Sequence, residues 1–330
     1  MPKEVFNAGI TGVGSYLPER ILTNTDLEEM VDTTEDWIVA RTGIKERRIA
    51  LPEQATSDLA LIAGERALAD AGVSPAELDL VIVATATPDT IFPSTACLVQ
   101  DKLGANKAAA FDLAAGCTGF VYALVTGSQF IISGLYRNVL VIGAECLSRI
   151  VNWQDRKTCV LFGDGAGAVL LSPVPQGSGL LSSVLRSDGS KGPTLVVPAG
   201  GSRLPADKET VEQKLHTIQM DGPEVFKFAV RVMSQVSLEV LSDAGLHSSD
   251  IDFFIPHQAN IRIIESAARR LDLPMEKVLI NLDRYGNTSA ASIPIAVAEA
   301  VHNGRITKGD HIVMMGFGAG LTWGAAVVKW

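Results

Sequence analysis

The sequence predicts an α/β fold, a layered α/β/α body built from two duplicated halves. Three observations carry that prediction. Short continuous apolar runs, Leu78–Thr85 (LDLVIVAT), Asn138–Gly143 (NVLVIG), Ile251–Pro256 (IDFFIP) and His311–Gly316 (HIVMMG), mark strands covered on both faces. Stretches of helical period separate them, and strand–helix alternation closes into parallel sheets through right-handed crossovers. The order then recurs. LDLVIV and IDFFIP each follow a helix and short loop and carry an early aspartate, and each half ends in a Gly-rich turn followed by an apolar strand. Pro, Gly and Ser gather at Pro173–Ser178, which sets the join between residues 1–173 and 174–330.

In the first half, Ile10–Tyr16 is a short strand closed by Leu17-Pro18. A capping pair, Thr33 with Asp36, starts a short helix that Gly43 stops, and the basic cluster Lys45, Arg47, Arg48 that follows fits a solvated face. Thr56–Ala71 is a helix with Leu59, Ile62, Ala63, Ala67 and Leu68 on one face and Gly72 as its cap. Strand Leu78–Thr85, helix Pro93–Leu103, strand Ala108–Leu113, helix Thr118–Ser133, strand Asn138–Gly143 and strand Gly165–Ser172 complete this half. The second half runs strand Leu180–Arg186, helix Pro223–Ala244, strand Ile251–Pro256, helix Ala259–Leu271, strand Val278–Leu282, helix Ser289–Asn303, strand His311–Gly316 and strand Thr322–Trp330.

Composition narrows the function. Of 330 residues, 47% are apolar and 20% charged, with 30 glycines, which suits an enzyme with many tight strand-to-helix turns. A net charge of −9 argues against a nucleic-acid binder, so any anionic partner must meet a local basic patch. The cysteines Cys97, Cys117, Cys146 and Cys159 are widely spaced, without metal-ligand or disulfide patterning, and fit reduced thiols in the cytoplasm. The stretch MPKEVFNAGITGVG lacks a signal-peptide core, and no run approaches the roughly 20 apolar residues of a membrane span.

Ligands of open α/β sheets bind beyond the carboxyl ends of the strands, so those ends hold the candidate chemistry. Cys117 follows a strand and opens a helix, where unpaired amides favour an anion; its thiol is expected to titrate below the free value of about 8.5. His257 follows IDFFIP, and Asn287 lies in GNTS ahead of a helix. The Gly-rich loops GDGAG (163–167) and GFGAG (316–320) lead into strands, so no helix N-terminus holds a pyrophosphate; GFGAG fits better as a backbone donor facing the nucleophile. Two chemistries suit Cys, His and Asn together. One is a papain-like hydrolase in which His takes the thiol proton; the other is a thiol acyl carrier whose His and Asn only donate hydrogen bonds to a thioester oxygen.

LAAGCTGF around Cys117, FGDGAGAVLL (162–171), PHQANIRI (256–263), GNTSAASIP (286–294) and GFGAGLTWG (316–324) resemble the β-ketoacyl-acyl carrier protein synthase III enzymes, which start type II fatty acid synthesis on the thiolase fold, layered α/β/α/β/α. The resemblance spans nearly the whole chain and implies the following. Cys117 accepts an acyl group from acyl-CoA, with its own amide and that of Ala319 as oxyanion hole. His257 and Asn287 hold the malonyl thioester. Trp37, Arg41 and Arg156 bind the nucleotide end of CoA, and Asn260 and Arg262 lie by the pantetheine tunnel. Phe92 reaches a partner's acyl pocket in a homodimer. No permanent cofactor or metal is implied. Acidic acyl carrier protein would dock on Lys227, Arg231, Arg262, Arg269 and Arg270. Gly116 and Thr118 replace alanines common in the family, and Ala319 replaces a glycine of some members, which bears on the acyl pocket. A thiolase-fold enzyme of secondary metabolism with another acceptor is the alternative.

Overall fold

A computed structural model describes residues 6–330. The first half comprises β1 (Asn7–Tyr16), β2 (Arg20–Thr23), α1 (Asn24–Glu28), α2 (Glu35–Thr42), β3 (Glu46–Ile49), α3 (Thr56–Ala71), β4 (Leu80–Ala84), α4 (Thr95–Leu103), β5 (Ala109–Leu113), α5 (Gly119–Ile132), β6 (Val139–Glu145) and β7 (Gly165–Val174). The second comprises β8 (Gly179–Ser187), β9 (Leu195–Val196), α6 (Lys208–Glu212), β10 (Gln219–Met220), α7 (Gly222–Asp243), β11 (Phe253–Pro256), α8 (Ile261–Arg270), α9 (Leu282–Tyr285), α10 (Ser292–His302), β12 (His311–Gly318) and β13 (Thr322–Lys329).

Two sheets run β1-β7-β6-β4-β5 and β11-β12-β13-β8. In the first, β4 is parallel to β5 and β6, while β7 is antiparallel to β6 and β1. The second repeats this pattern, β11 parallel to β12 and β13 antiparallel to β12 and β8, without a counterpart of β5.

Side-chain alternation explains the layers. Leu80, Ile82 and Ala84 of β4, with Ile312 and Met314 of β12, face a central core holding Phe120, Val121 and Leu124 of α5 and Ile293 and Val297 of α10. Val81 and Val83 point the other way onto α3 and α4, and Val313 and Met315 onto α7 and α8. Both faces of each sheet are thus covered, which is why these strands read as unbroken apolar runs. Truncating Leu124, 1% exposed, to alanine would cost about 2–5 kcal/mol.

Three sequence expectations need correction. Val278–Leu282 is not a strand: it makes a single bridge, Val278 to Phe254. The Gln258 side chain occupies the place of a neighbouring strand, donating to Leu279 O (3.1 Å) and accepting from Asn281 N (3.0 Å), so the backbone polar groups are satisfied without a ladder. The cap of α2 is Thr34, whose hydroxyl accepts from Trp37 N at 3.2 Å; Thr33 Oγ1 is buried without a partner. Arg47 is no solvated cation. It is fully buried, donates to Leu22 O, Asn24 Oδ1 and Val160 O, and burial lowers its pKa to about 10.

A fourth cluster, including Leu22, Leu27, Ile38, Leu147, Val160, Phe162 and Ile218, forms a cap around one side of the site. Among the described residues no helix is long and apolar enough to cross a membrane.

Candidate active site

Backbone proximity builds the site. After β5 the chain turns at Gly116 (φ +54°) into a single 3-10 turn, Gly116–Thr118, that leads into α5 and holds Cys117 at its centre. The β12–β13 turn crosses directly above. A Cβ at Gly116 would lie 2.9 Å from Ala319 N, and one at Gly318 only 2.6 Å from Cys117 N, so both positions require glycine. The amides of Cys117 and Ala319 have no backbone acceptor among the described residues and remain available to a ligand oxygen.

The second half supplies the facing side chains. His257 follows β11, its backbone fixed by donation to Met315 O at 2.8 Å. Its Nδ1 meets Ser292 Oγ of α10 at 2.8 Å, and its ring stands edge-on to Phe317, 5.4 Å between centroids. Asn287 is pinned by backbone bonds on both sides, Asn287 N to Leu161 O and Gly163 N to Asn287 O. Asn287 Oδ1 accepts from Ser289 N at 2.8 Å, which leaves Nδ2 as the group free for a ligand. Cys117, His257 and Asn287 line one cavity of about 150 Å³, together with Asn260, Phe317 and Gly318.

Cys117 also opens onto a second cavity of about 210 Å³, lined largely by apolar side chains: Leu147, Ile150, Phe162, Leu195, Val196, Val197 and Ile218, with Ala86, Gly116, Ser289 and Ala319. The thiol stands where a chamber with polar donors meets an apolar chamber. Most of that apolar wall was not anticipated from sequence, because residues 195–218 carry no regular period.

Burial dominates the electrostatics. The Cys117 thiol is pushed up to about 12, not lowered as its place before a helix suggested. A helix terminus is worth at most about 2 kcal/mol, roughly 1.5 pKa units, whereas full burial shifts a group by up to about 3–5 units. His257 is lowered by burial to about 3, so its imidazole is neutral at physiological pH.

The other candidates fall into three groups. Trp37 on α2 carries the guanidinium groups of Arg41 (4.7 Å) and Arg156 (5.3 Å) over its ring, and Arg156 is held by Asp32 O at 2.7 Å. Asn260 joins this group to the main cavity, donating to Arg41 O (2.8 Å) and capping α8 by accepting from Arg262 N (2.9 Å). Phe92, 83% exposed beside Ile91, also 83% exposed, points away from the chain's own body. Of the docking candidates, Lys227 pairs with Glu224, Arg231 lies over Phe228 and Arg262 over Phe226, while Arg269 is exposed. Arg270 is tied to α7 by donation to Val230 O at 2.9 Å. All four cysteines are free thiols, and no cluster of metal-ligating side chains occurs among the described residues.

Comparison with known proteins identifies the family. The chain matches the family described as 3-Oxoacyl-[acyl-carrier-protein (ACP)] synthase III over residues 111–189, and the C-terminal part of that synthase over residues 241–330. It is 62% identical over 327 residues to the Beta-ketoacyl-[acyl-carrier-protein] synthase III of Caldanaerobacter subterraneus subsp. tengcongensis, covering 99% of each chain. The crystal structure of 3-oxoacyl-[acyl-carrier-protein] synthase III from Aquifex aeolicus VF5 superposes with a TM-score of 0.91 at 50% identity, covering 98% of this chain and 100% of that one. The priming β-ketosynthase of the R1128 polyketide biosynthetic pathway does so with 0.91 at 37% identity, covering 98% and 96%. The thiolase-like fold and the condensing chemistry expected from the sequence motifs are those of this group, and the chain belongs to the 3-oxoacyl-[acyl-carrier-protein] synthase III family.

Proposed function

We propose that the protein joins an acyl group delivered by CoA to the malonyl unit of an acyl carrier protein, releasing CO₂ and β-ketoacyl carrier protein, and so initiates fatty acid synthesis. The observation that carries the reading is that Cys117 shares one chamber with two neutral donors, His257 and Asn287, and a second with an apolar wall. An acyl chain on the sulfur fits the apolar side, leaving the other side for the incoming thioester.

Cys117 attacks the acyl-CoA carbonyl, and the amides of Cys117 and Ala319 receive the oxyanion. CoA leaves. Malonyl thioester then enters with its carbonyl oxygen toward His257 and Asn287. With Nδ1 of His257 taken as acceptor from Ser292 Oγ, 2.8 Å away, Nε2–H of His257 and Nδ2–H of Asn287 are the donors left for that oxygen. Loss of CO₂ leaves its electron pair on the adjacent carbon as an enolate, which two neutral donors stabilise without removing a proton. Attack of that carbon on the acyl group expels Cys117.

Trp37, Arg41 and Arg156 make a cationic and aromatic seat for the nucleotide of CoA, which is a substrate rather than a resident cofactor. Lys227, Arg231, Arg262 and Arg269 are the basic rim for an acidic carrier protein on a chain of net charge −9; Arg270 braces α8. Ile91 and Phe92 seat on a second copy in a homodimer, since apolar side chains this exposed favour a partner surface. Residues 1–173 and 174–330 are the two duplicated halves, and the free thiols suit the cytoplasm.

Incubation with acyl-CoA followed by peptide mass analysis should find the acyl group on Cys117 and not on exposed Cys97, and malonyl carrier protein should then give CO₂ and the β-ketoacyl product. Acylation elsewhere, or turnover without CO₂, would defeat the reading. The kinship with a polyketide priming enzyme makes product identity across acceptors the check on the second reading, secondary metabolism.

A further inference from the structure

Asn287 is held by a segment far from it in sequence, and both lean on β3. Asn287 N donates to Leu161 O at 2.8 Å and Gly163 N donates to Asn287 O at 3.0 Å, which makes an isolated parallel bridge between Asn287 and Phe162. One such bridge is a weak clamp, because no ladder extends it on either side. The frame comes from β3 and the residue before it. Lys45 N donates to Asp283 O at 2.9 Å, anchoring α9 just ahead of Asn287, and Asp164 N donates to Arg48 O at 2.8 Å, anchoring the end of the partner segment. Between these two anchors stands Arg47.

The Arg47 side chain fills the space beneath the bridge. A Cβ at Gly163 would lie 3.0 Å from Arg47 Cβ, and one at Gly286 would lie 3.2 Å from it, so the stem packs against a glycine on each strand of the bridge. The guanidinium then grips from two sides. Nη2 donates to Val160 O at 2.8 Å, and Nη1 to Leu22 O at 3.1 Å and Asn24 Oδ1 at 3.0 Å. Val160 directly precedes Leu161, whose carbonyl receives the Asn287 amide. Asn24, 1% exposed, is fixed in turn by donating from Nδ2 to Ile44 O at 2.9 Å. These acceptors are all neutral, and Nε is buried without a partner. Burying a cation among neutral acceptors opposes folding. A methionine would fill the same space without that cost; what it lacks is the planar fork that ties Val160 to Leu22 and Asn24.

We propose that Arg47 is a positioning residue for the decarboxylating half of the site, holding Asn287 in place through the Val160–Gly163 segment. This rests on the reading that Asn287 donates to the malonyl thioester. Arg47 lines neither cavity at Cys117, so its influence passes through the backbone it holds. The nucleophile is fixed by a separate route. The turn Gly116–Thr118 packs under Gly316 and Gly318, and Thr322 Oγ1 donates to Ala115 O at 2.8 Å. Loosening the grip of Arg47 therefore separates the two half-reactions.

The test follows both half-reactions in Arg47→Lys, which keeps the charge and most of the stem but cannot span both sets of acceptors. Single-turnover transfer to Cys117 from a short acyl thioester lacking the nucleotide should stay at the parent rate, which also shows that the variant is folded. Release of CO₂ from malonyl carrier protein by the acylated enzyme should fall about 10²-fold in kcat with KM unchanged, the scale of a displaced catalytic group. In an Asn287→Ala background the same substitution should cost CO₂ release little more, because the group it positions is gone. A merely structural role predicts equal losses in both half-reactions, or losses that multiply in the double variant. Either result, or parent-like CO₂ release in Arg47→Lys, overturns the proposal. If Arg47→Lys does not fold, Asn24→Ala, which removes one acceptor and leaves the cation and its stem, must show the same split and the same absence of further loss with Asn287→Ala; otherwise the proposal falls. Parent-like CO₂ release in Asn287→Ala alone overturns the underlying reading of Asn287 as well, and is seen before Arg47 is changed.

Discussion

Gly318 lies directly against Cys117: a Cβ at position 318 would come within 2.6 Å of the Cys117 nitrogen and 2.9 Å of its Cβ. Cys117 and the turn carrying the Ala319 amide are therefore held in register by backbone contact between segments distant in the chain. Gly318→Ala should displace that turn and slow acyl transfer about 100-fold, the scale of one lost oxyanion donor. Single-turnover acylation measures this, and a parent-like rate would show that the two amides do not act together.

Burial of His257 and Cys117 shapes stability against pH. His257 stays neutral down to about 3, whereas an unfolded imidazole takes up a proton near 6.5. The unfolded chain binds the extra proton between these values, so this contribution is fully present above 6.5 and stability falls as pH drops through the window. Cys117 acts on the other side. Its thiol holds its proton to about 12 while the unfolded thiol ionises near 9, so stability falls as pH rises above 9. Denaturant melts across pH should show both slopes, the acid one shallower by about one proton in His257→Ala. An equal acid slope in that variant would place the proton uptake elsewhere.

Trp37 is the aromatic platform for two guanidinium groups. Trp37→Ala should raise KM for acyl-CoA about 10-fold, the scale of one stacking contact. The rate with a short acyl thioester lacking the nucleotide should not change. Equal losses on both substrates would mean that Trp37 supports the fold rather than CoA.

Lys227 and Arg269, proposed above for carrier docking, line neither cavity at Cys117. Reversing both to glutamate should weaken use of malonyl carrier protein about 10-fold or more at low salt, with the effect shrinking as salt is raised, and leave acyl-CoA labelling intact. A parallel loss in labelling would count against docking there.

The sequence made the strand ends legible, and with them Cys117, His257 and Asn287, because covered strands leave long apolar runs and their ends are the places where polar residues intrude. What it hid depended on contacts between distant segments. Val278–Leu282 has the composition of a strand, yet the Gln258 amide takes up its hydrogen bonds. Arg47 sits in a basic run that suggests solvent, but three oxygens from distant segments draw it inside. The thiol of Cys117 follows the cavity that encloses it rather than the helix it precedes.

The division of labour within the site is tested most directly by separating the two half-reactions in His257→Ala and Asn287→Ala. Acyl transfer from acyl-CoA to Cys117 should persist within about 10-fold of the parent in both, while CO₂ release from malonyl carrier protein falls about 10²–10³-fold, the scale of a lost oxyanion donor. Loss of acyl transfer in His257→Ala with CO₂ release retained would instead make His257 the base for the thiol and contradict the account.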